Sequence, residues 1–115
     1  MIIVLTPDQR LAAIQRLGRA LADPTRCRLL LALLDGPAYP ARLAEQLDLT
    51  RQNVSNHLAC LRECGLVRTV TQGRQTRYSL VDDALRHALE DLLHVVWGTA
   101  VQHTPPGEAL PVAVD

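Results

Sequence analysis

Three cysteines, four histidines and one run of polar side chains carry the chemistry in this 115-residue sequence. Cys60 and Cys64 stand four residues apart in "NHLACLRECGLV", so on a helix their sulfurs lie on one side and can converge on one ion. Thiolates favour soft, thiophilic ions such as cadmium, lead, arsenite and zinc, and disfavour calcium and magnesium. The pair also fits two small packed residues, because free cysteine is a common core side chain. Two thiolates leave a three- or four-coordinate site incomplete. Cys27 is one candidate to complete it. Arg26 and Arg28 flank it in the first turn of a helix, where the dipole and the guanidinium groups favour a thiolate. A packed core residue is the alternative for Cys27. The other candidate is His103 in the C-terminal stretch, with Glu108 further out. His57, three residues before Cys60, reads as a structural histidine rather than a ligand. His87, Asp91 and His94 recur at i, i+4 and i+7 and read as a solvated helix face.

Just before the thiols, Thr50-Arg51-Gln52-Asn53-Val54-Ser55-Asn56-His57 opens a helix that Thr50 caps. Arg, Gln, Asn and Ser are side chains that form hydrogen bonds to base edges. Arg51, Gln52, Ser55 and Asn56 fall on the outward face, and Val54, Leu58 and Leu61 on the inward stripe. Downstream, Arg74, Gln75 and Arg77 lie at the tip and on the return strand of a hairpin, within reach of backbone or minor groove. The candidate DNA-binding set is therefore Thr50, Arg51, Gln52, Asn53, Ser55, Asn56 and His57 on the helix, with Arg74, Gln75 and Arg77 on the hairpin. Charge supports a polyanionic partner. The formal net charge is zero, but residues 50–77 carry Arg51, Arg62, Arg68, Arg74 and Arg77 against Glu63 alone. Residues 78–115 carry Arg86 against six acids, leaving a basic middle and an acidic end. There is no lysine, so every fixed positive side chain is a guanidinium, suited to forked contacts with phosphate.

The elements that must position these residues follow from periodicity and punctuation. Residues 7–22 form a helical stripe with apolar positions 11, 14, 17 and 21, Thr6 as cap and Pro7 in the first turn. "DPTRCRLLLALLDG" gives a second helix, capped by Asp23, ended near residue 35, and apolar nearly all round, hence central. Pro37 and Pro40 punctuate a short extended connection. "PARLAEQLDL" is a short third helix, and a fourth runs from about 51 to 63 with Gly65 closing it. "LVRTVTQGRQTRYSL" alternates about a Gly-containing turn, as a two-stranded hairpin does. "DDALRHALEDLLHVVWGTAV" is an amphipathic last helix, and the Pro-rich residues 98–115 read as a flexible tail. The expected fold is mainly α (α+β): a winged helix-turn-helix of helices 1–4, a β-hairpin wing and a C-terminal helix, with residues 1–97 forming one DNA-binding and dimerisation domain. With 48% hydrophobic residues, a domain this small is marginal alone, and a partner subunit is expected.

"DPTRCRLLLALLDG", "LAEQLDLTRQNVSNHLACLRECGLV" and "GRQTRYSL" together resemble the ArsR/SmtB metalloregulatory repressors over about residues 11–97. The run from Ser55 to Val67 matches the S-x-H-L-x-x-L-x-x-(A/C)-G-L-V pattern of that winged-helix group. The resemblance implies a homodimer packed through its first and last helices, bound to a palindromic operator in double-stranded DNA and released by an inducer. Cys60-Leu-Arg-Glu-Cys64 and "GRALADPTRCR" resemble the cadmium/lead-sensing branch. There the resemblance implies a third thiolate from a tail cysteine of the other subunit, and residues 98–115 contain no cysteine. The leading function is therefore a repressor responding to a thiophilic ion of the cadmium, lead or arsenite class, zinc being a further possibility for the ion. The alternative is a winged-helix repressor that responds to thiol redox state, or that has no metal inducer. No nucleophile–base pair, phosphate-cradling loop or carboxylate dyad points to an enzyme. No apolar run approaches the roughly 20 residues of a membrane span, and "MIIVLTPDQR" lacks a basic leader region. A cytoplasmic protein with reduced thiols is expected.

Overall fold

Thr6, Asp23 and Thr50 each start a helix by the same device. Thr6 Oγ1 accepts from the Gln9 N–H at 3.2 Å, Asp23 Oδ2 from the Arg26 N–H at 2.9 Å, and Thr50 Oγ1 from the Asn53 N–H at 3.0 Å. Each bond satisfies an amide that the helix itself leaves without an acceptor. The structure, a computed structural model, describes the backbone of residues 4–103 and the side chains of residues 4–97. The elements are α1 (Pro7–Leu21), α2 (Pro24–Leu34), α3 (Pro40–Leu47), α4 (Arg51–Glu63), β1 (Val67–Gln72), β2 (Gln75–Leu80) and α5 (Asp83–His103).

The chain divides into two units, one running to Val81 and one from Asp82 onward. In the first, α2 is central, as its apolar character predicts: it packs against α1, α3, α4 and β2. Leu29, Leu33, Leu43, Val54, Leu58 and Leu61 are fully enclosed. Each such side chain contributes about 1.5–3 kcal/mol relative to exposure. At the α1–α2 corner, Arg26 Nε donates to the Ala20 carbonyl at 3.0 Å and Arg26 Nη2 to that of Arg19 at 2.7 Å. Arg28 Nη2 donates to the Leu47 carbonyl at 2.7 Å, tying α2 to the end of α3.

The turn between α3 and α4 is short because Asp48 takes a left-handed conformation (φ 55°), a role that Asp tolerates better than most residues. The Leu49 N–H then donates back to the Ala44 carbonyl at 2.8 Å. β1 and β2 pair antiparallel from Val67–Leu80 to Gln72–Gln75, leaving Gly73 and Arg74 as a two-residue turn. Gly73 has φ 62°, a positive φ at the first central position, where hairpin turns of this kind favour glycine. The Pro37–Pro40 connection does more than link helices. Ala38 and Tyr78 exchange both backbone hydrogen bonds, at 2.9 and 2.8 Å, so the connection forms a one-residue third rung beside β2.

The second unit is α5. Asp82 Oδ1 accepts from the Leu85 N–H at 2.8 Å and caps it. The helix runs to His103, six residues into the stretch expected to be tail. Gly98 does not stop it, because an isolated glycine costs a helix only about 1 kcal/mol and the first proline stands at 105. Residues 104–115 lie outside the described residues. No helix among the described residues is long and apolar enough to cross a membrane.

Candidate functional site

The front of α4 presents its polar side chains outward. Arg51, Gln52, Ser55 and Asn56 are exposed, Asn53 is half-buried, and Val54 and Leu58 point into the core. Gln52 Nε2 donates to Asn56 Oδ1 at 2.9 Å, so these amides, one turn apart, hold each other in line. Gln52 Oε1 is left as an acceptor and Asn56 Nδ2 as a donor, the pair of functions that the N6 and N7 edge of adenine takes in a major groove. Arg74 and Gln75 are exposed at the hairpin tip, and Arg77 is half-buried on β2. Both sides of this surface are thus polar or guanidinium, as a phosphate-lined partner requires.

His57 faces elsewhere. Its Nδ1 lies 3.8 Å from Asp23 Oδ2, so the middle of α4 is drawn to the residue that caps α2. The Asp23 carboxyl sits below its ordinary value near 3.8, chiefly because it accepts the Arg26 backbone N–H. Desolvation works against that shift, and the charges of His57 and Arg26 add to it. The contact brings α4 and the start of α2 side by side at this point.

The rear of α4 carries the thiols. Cys60 is on the helix and Cys64 is its C-cap, both half-buried and both free. The Cys64 N–H donates to the Cys60 carbonyl at 3.0 Å. The Gly65 N–H then donates to Arg62 and the Leu66 N–H to Leu61, each at 3.0 Å, with Gly65 at φ 77°. That is the Schellman closure a helix makes when glycine follows its cap. Among the described residues, no third His, Cys, Asp or Glu gathers with the pair into a metal-binding cluster. Cys27 donates its Sγ–H to the Leu21 carbonyl at 3.1 Å and helps close the α1–α2 corner. His103 is the last helical residue of α5, and its side chain and Glu108 lie outside the described residues. His87, Asp91 and His94 are exposed along α5. Two interactions escaped the sequence reading, the Asp23–His57 contact and a hydrogen bond from Tyr39 Oη to Gln72 Oε1 at 2.9 Å. A tyrosine at a helix-capping position, between two prolines, marks Tyr39 as unusual but does not point to its partner.

A winged helix-turn-helix with a polar outward face on α4 is an architecture of DNA-binding transcriptional regulators, and the relatives of this chain are named as regulators rather than enzymes. The chain belongs to the ArsR family: residues 23–69 match the bacterial regulatory protein, arsR family, and similar regulators match over most of the chain. The HTH-type transcriptional regulator CmtR of Mycobacterium tuberculosis is 61% identical over 93 residues, covering 81% of this chain and 79% of that one. A probable mercury resistance operon repressor of Streptomyces lividans is 43% identical over 67 residues, covering 58% of this chain and 54% of its own. The NMR structure of the cadmium metal-sensor CMTR from M. tuberculosis superposes with a TM-score of 0.62 at 53% identity, covering 88% of this chain and 98% of that one.

Proposed function

We propose that this regulator is a homodimeric repressor that binds a palindromic operator and leaves it when a thiophilic ion of the cadmium or lead class binds at Cys60 and Cys64. The observation that carries the reading is the thiol pair itself: two free, half-buried cysteines one turn apart at the rear of the reading helix, clear of its base-facing front. The donors fit such an ion, with arsenite or zinc as further candidates, and do not suit calcium or magnesium. Cys60 and Cys64 supply two thiolates. The third donor is His103 or Cys27, or comes from the other subunit. Cys27 would give up its bond to Leu21 to serve. The bound ion supplies a strong link between the end of α4 and that third donor. The resemblance to a cadmium sensor and to a mercury resistance repressor supports the same class of ion.

Dimerisation through the first and last helices is supported by what each leaves uncovered. Leu11 and Ile14 on α1 are 59% and 68% exposed, and Leu93 and Val96 on α5 are exposed as well. Thr50, Arg51, Gln52, Asn53, Ser55 and Asn56 address the major groove, with Arg74, Gln75 and Arg77 on the flanking backbone. His57 serves that face by holding α4 in place.

Cadmium titration tests the reading, followed by sulfur-to-metal absorption and by release of duplex DNA selected from random sequence with the wild-type protein. Wild type develops the absorption and dissociates together. Cys60→Ser/Cys64→Ser binds DNA as before and no longer releases it. A double variant that dissociates at the wild-type cadmium concentration refutes the assignment of the sensor to this pair.

A further inference from the structure

We propose that Tyr39 is a positioning residue for the wing: its hydroxyl pins the far end of β1 to the start of α3 and so sets where Arg74 meets DNA. The inference rests on the DNA-binding reading of the wing.

A two-stranded hairpin alone is marginally stable and free to swing. Here the base of the sheet is packed, with Val67 and Leu80 buried, and the lateral pairing nearest the tip is the rung where Ala38 pairs with Tyr78. Tyr78 faces Thr69, and two further rungs lie between that point and the last pair, Gln72–Gln75. Beyond the last pair come only Gly73 and Arg74. Beyond that rung the hairpin is a two-stranded ribbon that can bend. The hydroxyl of the next residue, Tyr39, supplies a second point of attachment by donating to Gln72 Oε1 at 2.9 Å. Two points fix an angle where one does not. Both belong to consecutive residues at the entrance to α3, so the wing is referenced directly to the helix-turn-helix.

A second observation supports the assignment. Tyr39 occupies the N-cap of α3 and makes no side-chain bond to that helix. Ser, Thr, Asp or Asn there would accept from an unsatisfied amide and stabilise α3 by about 1 kcal/mol. Tyrosine forgoes that bond, and its long rigid side chain carries a donor to Gln72, where none of the four short capping residues would reach. α3 is helped instead by Pro40 at its first position, where no N–H needs a partner.

Tyr39→Phe removes the hydroxyl and leaves the ring. The test measures two things on the full chain. The first is backbone order of the Gly73 and Arg74 amides by 15N relaxation without DNA. The second is affinity for duplex DNA selected by the wild-type protein, in a cycle with Arg74→Ala. We expect Tyr39→Phe to loosen both amides while leaving the thermal midpoint near wild type. Affinity falls about three- to tenfold, the worth of one neutral hydrogen bond. In the Arg74→Ala background the same substitution has no effect on affinity. Unchanged tip amides overturn the proposal, and so does an equal affinity loss with and without Arg74. If the wild-type protein selects no duplex, the DNA-binding reading falls, and the tip amides still decide whether Tyr39 holds the wing.

Discussion

The first turn of α4 is the part of the reading surface that depends most on a single side chain. From Val54 onward the helix is held by fully enclosed residues, Val54, Leu58 and Leu61. Before Val54, Arg51 and Gln52 are exposed and Asn53 is half-buried, so packing does little for that turn. What closes it is the Thr50 hydroxyl accepting the Asn53 N–H at 3.0 Å, beside the backbone bond from the Val54 N–H to the Thr50 carbonyl at 3.1 Å. Thr50→Ala removes the first and keeps the second. A lost cap costs about 1 kcal/mol, within a range of roughly 0.5–2. Such a loss raises the open fraction of the turn by about fivefold. Hydrogen exchange at the Asn53 amide should therefore quicken by about that factor, while exchange at Leu58 and Leu61 changes only as far as global stability does. DNA affinity should fall by a similar factor, since Arg51 and Gln52 ride on the same turn. Thr50→Ser should restore both. If Asn53 exchanges at the wild-type rate in Thr50→Ala, or if the loss appears equally at Leu58, the argument that the cap orders this turn is wrong.

Two other outcomes follow from particular residues. Asp23 has a folded-state pKa below the ordinary 3.8, so the stability its ionised form contributes is complete above that value and is lost as pH falls through the lower folded value. Urea unfolding of Asp23→Asn, which keeps a capping oxygen, should show a gap from wild type that narrows across that acid range; a constant gap refutes the linkage. Gly73→Ala meets no neighbouring atom but forces an alanine to φ 62°, so the cost is backbone strain of about 1–2 kcal/mol, read as a lower thermal midpoint and a frayed Gln72–Gln75 pair.

The sequence displayed the elements because their signals are local. Asp23-Pro24, Thr50 and Gly65 each mark a helix end within a few residues, and "QGRQ" marks the hairpin turn. The polar front and the apolar stripe of α4 separate cleanly at the helical period. What the sequence did not display is long-range. Tyr39 meets Gln72 across 33 positions, and nothing in either neighbourhood announces the other. The Asp23–His57 contact and the Ala38–Tyr78 rung depend likewise on how helices pack. The stripe at Leu11 and Ile14 was legible as apolar, but its exposure was not, because periodicity does not say what a face packs against. The thiol pair was legible as two cysteines one helical turn apart.

Leu66 gives the architecture a mechanical property. Its N–H donates to Leu61 at the end of α4, and its carbonyl accepts from the Val81 N–H just past β2, each at 3.0 Å. One residue thus clasps the reading helix to the base of the wing, two positions beyond Cys64. A rotation of α4 about its axis cannot be absorbed at a slack joint; it is handed on to the hairpin. If the proposed function holds, groove contacts from α4 and phosphate contacts from the wing are coupled through this one residue.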